Sequence, residues 1–168
     1  MKIKLRFRFL LIFLLLGLGL VSCAENDIDT ALDDTPTVTP EYGPNFKFYT
    51  DSNLFLKEQS LRTSTHNAPF TIKEVKKVNE NLKITVNYQG GCSDHSFDVV
   101  WDGVINLSKQ KKVNLIVKHV GNDQCKTLVS DTIVINLNKY FNNLIEINNT
   151  LFNVSNGSSI QEVNSEVN

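Results

Sequence analysis

The chain has few of the residues, and none of the motifs, from which common catalytic sites are built. Its 168 residues include three cysteines, three histidines and one tryptophan. Gly-x-Ser-x-Gly, His-Glu-x-x-His and phosphate-binding glycine loops are all missing. No long segment has the helical period, and after residue 22 no segment is apolar enough to span a bilayer. These absences argue against a motif-defined enzyme, a helical bundle and an internal transmembrane helix.

Basic residues are also in short supply once the N-terminal segment is set aside. The whole chain has 17 Lys and Arg against 18 Asp and Glu. Residues 1–22 hold four of those basic residues and no acidic one, so 13 basic residues remain against 18 acidic ones. The remainder therefore carries a net charge of about −5, which is unfavourable for binding phosphate backbones. We predict that nucleic acid is not a partner.

The N-terminal segment has the pattern of a secretory signal. Four basic residues precede an apolar run from Phe9 to Leu20, and small residues follow that run. Residues 7–21 would form a helix of roughly 22 Å, which is shorter than the ~30 Å hydrocarbon core of a bilayer. We therefore predict a cleaved signal peptide over residues 1–22 and no transmembrane helix.

The end of this segment, Leu20-Val21-Ser22-Cys23, resembles a bacterial lipobox. In a lipobox the cysteine is acylated and becomes the first residue of the mature protein. The resemblance implies lipidation of Cys23 and attachment to a membrane through the lipid. More than one acyl chain makes such an anchor stable.

Residues 23–45 are acidic and rich in Thr and Pro, and they have too few apolar residues to fold alone. We predict a flexible tether between the lipid and a folded domain. The acidic start of this tether resembles the signals by which Bacteroidota send lipoproteins to the cell surface, and a plain spacer is the alternative. Asp29-Thr30-Ala31 resembles a Bacteroidota O-glycosylation site, which makes Thr30 a candidate for glycosylation.

From Phe70 onward the apolar residues recur at every second position, which is typical of half-buried strands. Turn residues separate these runs at Asn79–Asn81, Gly90–Gly91, Asp102–Gly103 and Gly121–Asp123. Short strands between frequent turns predict an all-β fold, an antiparallel β-sandwich or small barrel of about five to eight strands over residues 46–155.

Three parts of this predicted domain have less distinct patterns. Residues 45–67 could form a strand followed by a helix or by another strand, and residues 138–143 could form one short helical turn. The polar tail, residues 156–168, is expected to fray.

Two cysteines remain once Cys23 is assigned to the lipid. Export places Cys92 and Cys125 in an oxidising compartment, where paired thiols usually form disulfides. A bond between them closes a loop of about 33 residues and stabilises the fold by roughly 3.5 to 4 kcal/mol in the chain-entropy model. We predict a Cys92–Cys125 disulfide.

Two histidines near these cysteines leave alternatives open. Cys92, His95, His119 and Cys125 could together bind zinc in a tetrahedral site, although His119 also falls on the core face of a strand. A hydrolase-like activity around His95 and His119 is the second alternative, but adjacent residues such as Ser93, Asp94 and His95 cannot form a triad. We predict no catalytic residues, no enzymatic activity and no cofactor.

Trp101 ends an alternating run and is expected in the core. The alternative is an exposed aromatic platform, formed with Tyr88, for a glycan or a peptide.

A longer pattern surrounds these residues, and its positions are Gly90, Gly91, Cys92, His95, Phe97, His119, Asp123 and Cys125. It resembles a group of small Bacteroidota lipoproteins that share a Gly-Gly-Cys-x-x-His-x-Phe segment, followed by a strand ending in His and a turn carrying Asp-x-Cys. The resemblance implies a β domain in the outer membrane, on its periplasmic face or at the cell surface, and implies no activity. We expect a binding or structural module whose partner is another envelope protein or a glycan.

Overall fold

The computed structural model describes residues 39–62, 68–121, 123–141 and 145–166. The predicted signal peptide, the lipidation site Cys23, the candidate glycosylation site Thr30 and most of the predicted tether lie outside these residues. Those assignments stay predictions. Among the described residues, no helix is both long enough and apolar enough to cross a membrane.

The described part of the chain forms nine strands and three short helical segments. The strands are β1 (Glu41–Tyr42), β2 (Phe46–Thr50), β3 (Phe70–Val78), β4 (Asn81–Gly90), β5 (Ser96–Asn106), β6 (Lys111–Val120), β7 (Thr127–Asn136), β8 (Thr150–Asn156) and β9 (Glu162–Asn164). The α-helices are α1 (Ser52–Leu61) and α2 (Leu137–Phe141), and Ile147–Asn149 form one 3₁₀ turn. The predicted all-β fold is confirmed.

The strands form two sheets. The larger has the order β1-β2-β5-β6-β8-β9, and the smaller has the order β3-β4-β7. Most neighbouring strands are antiparallel, but β2 is parallel to β5 and β6 is parallel to β8. Alternating apolar residues indicate which face of a strand is buried but not the direction of its neighbour, so the two parallel pairs could not be read from the pattern.

One core joins the two sheets, in the manner of a sandwich. Leu82, Ile84 and Val86 of β4 are fully buried, and the polar residues between them are not. They belong to the same apolar cluster as Phe97 and Val99 of β5. Full burial of each such side chain contributes about 1.5 to 3 kcal/mol, so the period of two decides which face of each strand points inward.

The segment that the sequence left ambiguous is a strand followed by a helix. After β2, the Asp51 carboxylate accepts hydrogen bonds from the backbone N–H groups of Asn53 and Leu54 and caps α1. α1 packs against β5 and β6, and its buried Glu58 pairs with Lys118 of β6 at 2.9 Å. This helix covers part of the larger sheet's outer face.

The β structure extends beyond residues 46–155 on both sides. Glu41–Tyr42 pair with β2, although they fall in the predicted tether. The expectation that the polar tail frays is wrong for residues 156–166, because β9 pairs with β8 and Ser165 is only 3% exposed. Ser165 exchanges hydrogen bonds with the backbone of Phe152, so its polar groups are satisfied inside the protein rather than by water.

Two smaller expectations can be compared with the structure. The helical turn predicted over residues 138–143 corresponds to α2. Trp101 is 4% exposed, packs on Phe141 with ring centroids 4.7 Å apart, and donates its indole N–H to the carbonyl of Val104. Its assignment to the core is confirmed, and the exposed platform with Tyr88 is wrong because Tyr88 is itself 6% exposed.

Candidate functional site

A disulfide joins the two loops at one end of the sandwich. Cys92 follows β4, Cys125 precedes β7, and their Cα atoms lie 5.9 Å apart, a usual separation for bridged cysteines. The predicted disulfide is confirmed. It ties the chain on both sides of the β5–β6 hairpin, with His95 directly before β5 and His119 on β6.

Glycine is required at positions 90 and 91, before the disulfide, for two separate steric reasons. Gly91 has a φ of +105°, a conformation that side-chain-bearing residues rarely adopt. At Gly90 an added Cβ would lie 2.5 Å from Nε2 of His95, and at Gly121 an added Cβ would lie 2.5 Å from its Nδ1. The imidazole of His95 therefore lies close against the backbone of two glycines, which leave it the space it occupies.

Asp123 accepts hydrogen bonds from several groups at this end of the molecule. Its Oδ2 accepts hydrogen bonds from the backbone N–H of Cys92 at 2.7 Å and of Ser93 at 3.1 Å, and from His95 Nε2 at 3.2 Å. Its Oδ1 accepts the backbone N–H of Cys125 at 2.8 Å. These donors, the Cys125 and Cys92 amides first, hold the pKa of the Asp123 carboxyl well below its usual range. The carboxylate is 3% exposed and binds both halves of the disulfide.

The hydrogen-bond chain continues from His95 to His119, whose Nε2 lies 2.9 Å from Nδ1 of His95. An ionised Asp123 requires a proton on Nε2 of His95, which leaves Nδ1 of a neutral His95 free to accept. In that tautomer His119 donates from Nε2 and its Nδ1 carries a lone pair, whereas a His95 protonated on both nitrogens reverses the bond and places the proton of His119 on Nδ1. Nδ1 of His119 lies near the backbone acceptors of Ala68 and Pro69, which favour a proton on the ring, but it makes no hydrogen bond of good geometry among the described residues.

His119 is packed among aromatic rings. Its ring centroid lies 4.5 Å from that of Tyr88 and 5.2 Å from that of Phe97, and the residue is 5% exposed. Burial, together with the charge that His95 can carry, lowers the pKa of His119 to about 4. At neutral pH His119 is therefore an uncharged base.

A cleft of about 850 Å³ lies beside this chain. Its volume is in the range usual for small-molecule sites. Its lining combines aromatic rings, the two histidines and neutral polar side chains with one lysine, and includes Phe70, Thr71, Asn87, Tyr88, Gln89, His95, His119, Asp123, Gln124, Lys126 and Leu128. The arrangement suits recognition of a small polar ligand.

The structure brings the four singled-out residues to the same end of the molecule but does not join them as a metal site. Cys92 and Cys125 are bonded to each other, the two histidines hydrogen-bond to each other, and His95 also hydrogen-bonds to Asp123. Within the described residues, the side chains that could hold a metal together are Cys92, Asp123 and Cys125, whose ligand atoms lie within 4.8 Å of one another. Zinc binding would thus require reduction of the disulfide.

Sequence reasoning missed the role of Asp123. It lies two residues before Cys125 and accepts that residue's N–H, as Asp commonly does in a turn. The turn pattern Gly121-Asn122-Asp123 was the available signal. Its contacts with Cys92 and His95, 31 and 28 residues away, depend on how the loops meet.

Comparisons with known proteins add little. No family model matches this chain, and no curated protein matches it. It is similar to a "Putative TOXIN related protein" from Parabacteroides distasonis ATCC 8503, at 13% identity and a TM-score of 0.41. The similarity covers 62% of this chain and 53% of the other, so the chain spans about half the length of that protein. A likeness this distant carries no argument about function.

Proposed function

We propose that the mature protein is a lipid-anchored binding module of the bacterial envelope, and that the cleft beside His119 is its binding site. One observation carries the proposal. The cleft has the volume of a small-molecule site, and among the described residues the buried Nδ1 of His119, a residue of its lining, has no hydrogen-bond partner of good geometry. Such an unsatisfied group is uncommon in folded proteins and needs an explanation, which a ligand supplies.

The envelope location rests on the N-terminal sequence and is supported by the disulfide. A Cys92–Cys125 bond suits an oxidising compartment. The lipobox-like segment places an anchor at Cys23, and the likeness to small Bacteroidota lipoproteins favours the outer membrane, on its periplasmic face or at the cell surface. Cys23→Ala should abolish incorporation of a labelled fatty acid and move the protein from the membrane fraction to the soluble fraction. Unchanged labelling would overturn the anchor.

Binding is proposed rather than catalysis because the described residues offer neither histidine a nucleophile. No hydroxyl or thiol hydrogen-bonds to His119 Nδ1, and both nearby cysteines are in the disulfide. A hydrolase-like activity would instead appear in a broad substrate screen and disappear in both His95→Ala and His119→Ala.

The binding proposal can be tested by filling the cleft. Thr71 is exposed and lines the cleft, so Thr71→Trp should fill part of it without disturbing the core. Thr132→Trp is the matched control, because Thr132 is exposed on the same sheet and lies outside the cleft. Neutral sugars, short peptides and small carboxylates would be titrated into both variants and followed by NMR. Loss of binding in Thr71→Trp alone supports the cleft, and no perturbation of cleft residues by any compound contradicts it.

Zinc binding remains the second candidate, since Cys92, Asp123 and Cys125 already lie together. Intact mass with and without reductant, each followed by thiol alkylation, separates the two. If two alkyl groups add only after reduction, the thiols are not available as ligands. If both add without reduction, and zinc is present at one equivalent that His95→Ala removes, the metal site replaces the binding module as the better account.

A further inference from the structure

Asp123 joins the two loops of the disulfide through their backbones. Its carboxylate accepts the N–H groups of Cys92 at 2.7 Å and Ser93 at 3.1 Å from one loop, and that of Cys125 at 2.8 Å from the other. A backbone N–H group can only donate, so the direction of these hydrogen bonds is fixed. None of the three involves a sulfur atom, so opening the disulfide removes none of them.

The strands that lead into the loops set the two cysteines opposite each other. Gly90, the last residue of β4, pairs with Thr127, the first residue of β7, in an antiparallel register. Cys92 lies two residues after Gly90, and Cys125 lies two residues before the strand partner of Gly90. Continuing the same register brings the two cysteines face to face.

The hydrogen-bonded ladder nevertheless ends before it reaches the cysteines. Gly91 has a φ of +105°, so the backbone leaves the strand conformation one residue before Cys92. The amides of Cys92 and Cys125 donate to Asp123 instead of to a neighbouring strand. The Asp123 side chain is 3% exposed, so water competes little for these hydrogen bonds. Asp123 therefore holds the two loops together at the point where the sheet no longer does.

The disulfide itself can be reached from solvent. Cys92 is exposed, whereas Cys125 is half-buried on the cleft lining. A thiolate can therefore approach the bond from the side of Cys92. Because the hydrogen bonds to Asp123 are shielded and the covalent bond is not, the bond can open while the loops stay in place.

We propose that Asp123 is a positioning residue for reversible thiol–disulfide exchange between this protein and a dithiol protein. Asp123 holds the two loops by their backbones in both redox states, so a bond that the dithiol opens re-forms between Cys92 and Cys125. The inference goes beyond the proposed function and does not depend on the cleft binding a ligand.

The exchange moves two electrons and two protons. The first thiol of the dithiol loses its proton and attacks Sγ of Cys92, and Sγ of Cys125 leaves with the electron pair and takes up a proton. The second thiol of the dithiol loses its proton and attacks the first in the mixed disulfide, and Cys92 leaves and takes up a proton. The dithiol is oxidised to a disulfide and the protein is reduced to two thiols. An oxidised dithiol reverses each step.

The test measures exchange with dithiothreitol in the mature chain with Cys23→Ala, whose remaining cysteines are Cys92 and Cys125. Samples equilibrated with a chelator at set ratios of reduced to oxidised dithiothreitol are alkylated, and their intact masses are measured. Asp123→Asn should shift the equilibrium toward the reduced protein by at least about tenfold, because it removes charge-assisted hydrogen bonds that hold the loops.

Asp94→Asn is the matched control. Asp94 is exposed and carries the same charge two residues after Cys92, but the cysteine amides donate to Asp123. Its substitution should shift the equilibrium by less than about twofold.

Hydrogen exchange tests the loops directly. In the reduced parent chain, the amides of Cys92, Ser93 and Cys125 should stay protected from exchange. Asp123→Asn should remove that protection in the reduced form and leave the amides of the sheets protected, which a general loss of stability would not do. The parent chain alone decides the question if Asp123→Asn does not fold.

Three results would overturn the proposal. The first is an equal shift of the exchange equilibrium in Asp123→Asn and Asp94→Asn, which would assign the effect to charge alone. The second is rapid exchange of the Cys92 and Cys125 amides as soon as the bond is reduced. The third is complete alkylation of both thiols in the parent chain without reductant.

Discussion

Two buried polar networks among the described residues differ in how completely their polar groups are hydrogen-bonded. The Arg62 network, formed by Arg62, Asn156, Gln161 and Glu162, joins the end of α1 to the β8–β9 turn. Arg62 donates to the carbonyls of Asn156 and Ser159 from Nε, to Glu162 from Nη1 at 2.7 Å, and to the carbonyl of Gln161 from Nη2 at 3.0 Å. Each nitrogen of the guanidinium has an acceptor.

The same network also closes an edge of the smaller sheet. The side-chain amide of Gln161 donates to the carbonyl of Ile72 at 2.8 Å and accepts its N–H at 2.9 Å, in place of a neighbouring strand. The Asn156 amide donates to the carbonyl of Phe70 at 2.8 Å. Exposed backbone groups at a strand edge invite pairing with another chain, and these amides occupy them.

The second network is the hydrogen-bond chain from Asp123 through His95 to His119. Its polar atoms are fully hydrogen-bonded at Asp123 but not at His119. Asp123 accepts four hydrogen bonds, whereas His119 Nδ1 has no partner of good geometry within the described part of the chain. A satisfied network rigidifies a fold, and an unsatisfied one carries a cost that folding alone does not explain. The difference indicates that buried polarity is structural near Arg62, whereas near His119 it belongs to the proposed binding site.

Breaking the disulfide should have the largest effect on stability, because this bond joins the two loops to which Asp123 hydrogen-bonds. The 33-residue separation gives about 3.7 kcal/mol of stabilisation in the chain-entropy model. Cys92→Ser should lower the free energy of unfolding by about that amount in urea denaturation. Wild-type protein in reductant should show the same loss. Equal midpoints for the oxidised and reduced wild type would contradict the prediction.

Disrupting the Arg62 network should have the next largest effect on stability. Arg62→Met should cost about 2 to 3 kcal/mol, because it removes the donors to the carbonyls of Asn156 and Gln161 and the ion-pair partner of Glu162. Lys76→Met is the control, since the Lys76–Glu74 pair is about half exposed and should cost less than about 0.5 kcal/mol. Similar losses from both variants, measured by urea denaturation, would show that the buried network is not structural.

Lowering the pH should affect the His119 chain before the rest of the protein. The pKa of His119 falls from 6.5 in the unfolded chain to about 4 in the fold, so the unfolded state binds its proton first as the pH drops. The contribution of His119 is full above pH 6.5, falls by about 3 kcal/mol between pH 6.5 and 4, and is lost entirely below that. The low pKa of Asp123 adds a further loss only below its usual range.

Unfolding measured across this pH range would check the assignment. His119→Phe should flatten the slope between pH 6.5 and 4. A slope that survives this substitution unchanged would assign the pH dependence to other groups.

The smallest effects should come from a matched pair of amides, one in each region. Gln161→Ala removes two hydrogen bonds to Ile72 and should cost about 1 to 2 kcal/mol. Asn87→Ala should change stability by less than about 0.5 kcal/mol, since its Oδ1 has no partner to lose. Thermal and urea unfolding of both variants would decide the matter, and an equal loss in both would remove the distinction between the two regions.

Much of the fold could be predicted because its signals are local. Alternation along β4 indicated which side chains face the core, and the cysteine pair indicated the disulfide. Position on a strand face also indicated that His119 is buried. The hydrogen bonds of Asp123 could not be predicted, because an Asp in a polar turn has the same local sequence pattern whether it faces water or binds Cys92 and His95.

The prediction that the C-terminal tail frays was wrong for a related reason. Polar composition predicts fraying when polar groups have only water to bind. Asn156, Gln161 and Ser165 instead bind backbone groups of β3 and β8, so their polarity holds the tail in place.

The sequence by itself determined the strands from β3 to β7, the inward face of each and the pairing of Cys92 with Cys125, because periodicity and composition act over a few residues. Tertiary structure alone decided that β2 runs parallel to β5 and β8 parallel to β6, that Asp123 binds both halves of the disulfide, and that His95 hydrogen-bonds to His119. Each of these depends on contacts between groups 24 or more residues apart, which only the packing of the sheets and loops brings within hydrogen-bond distance.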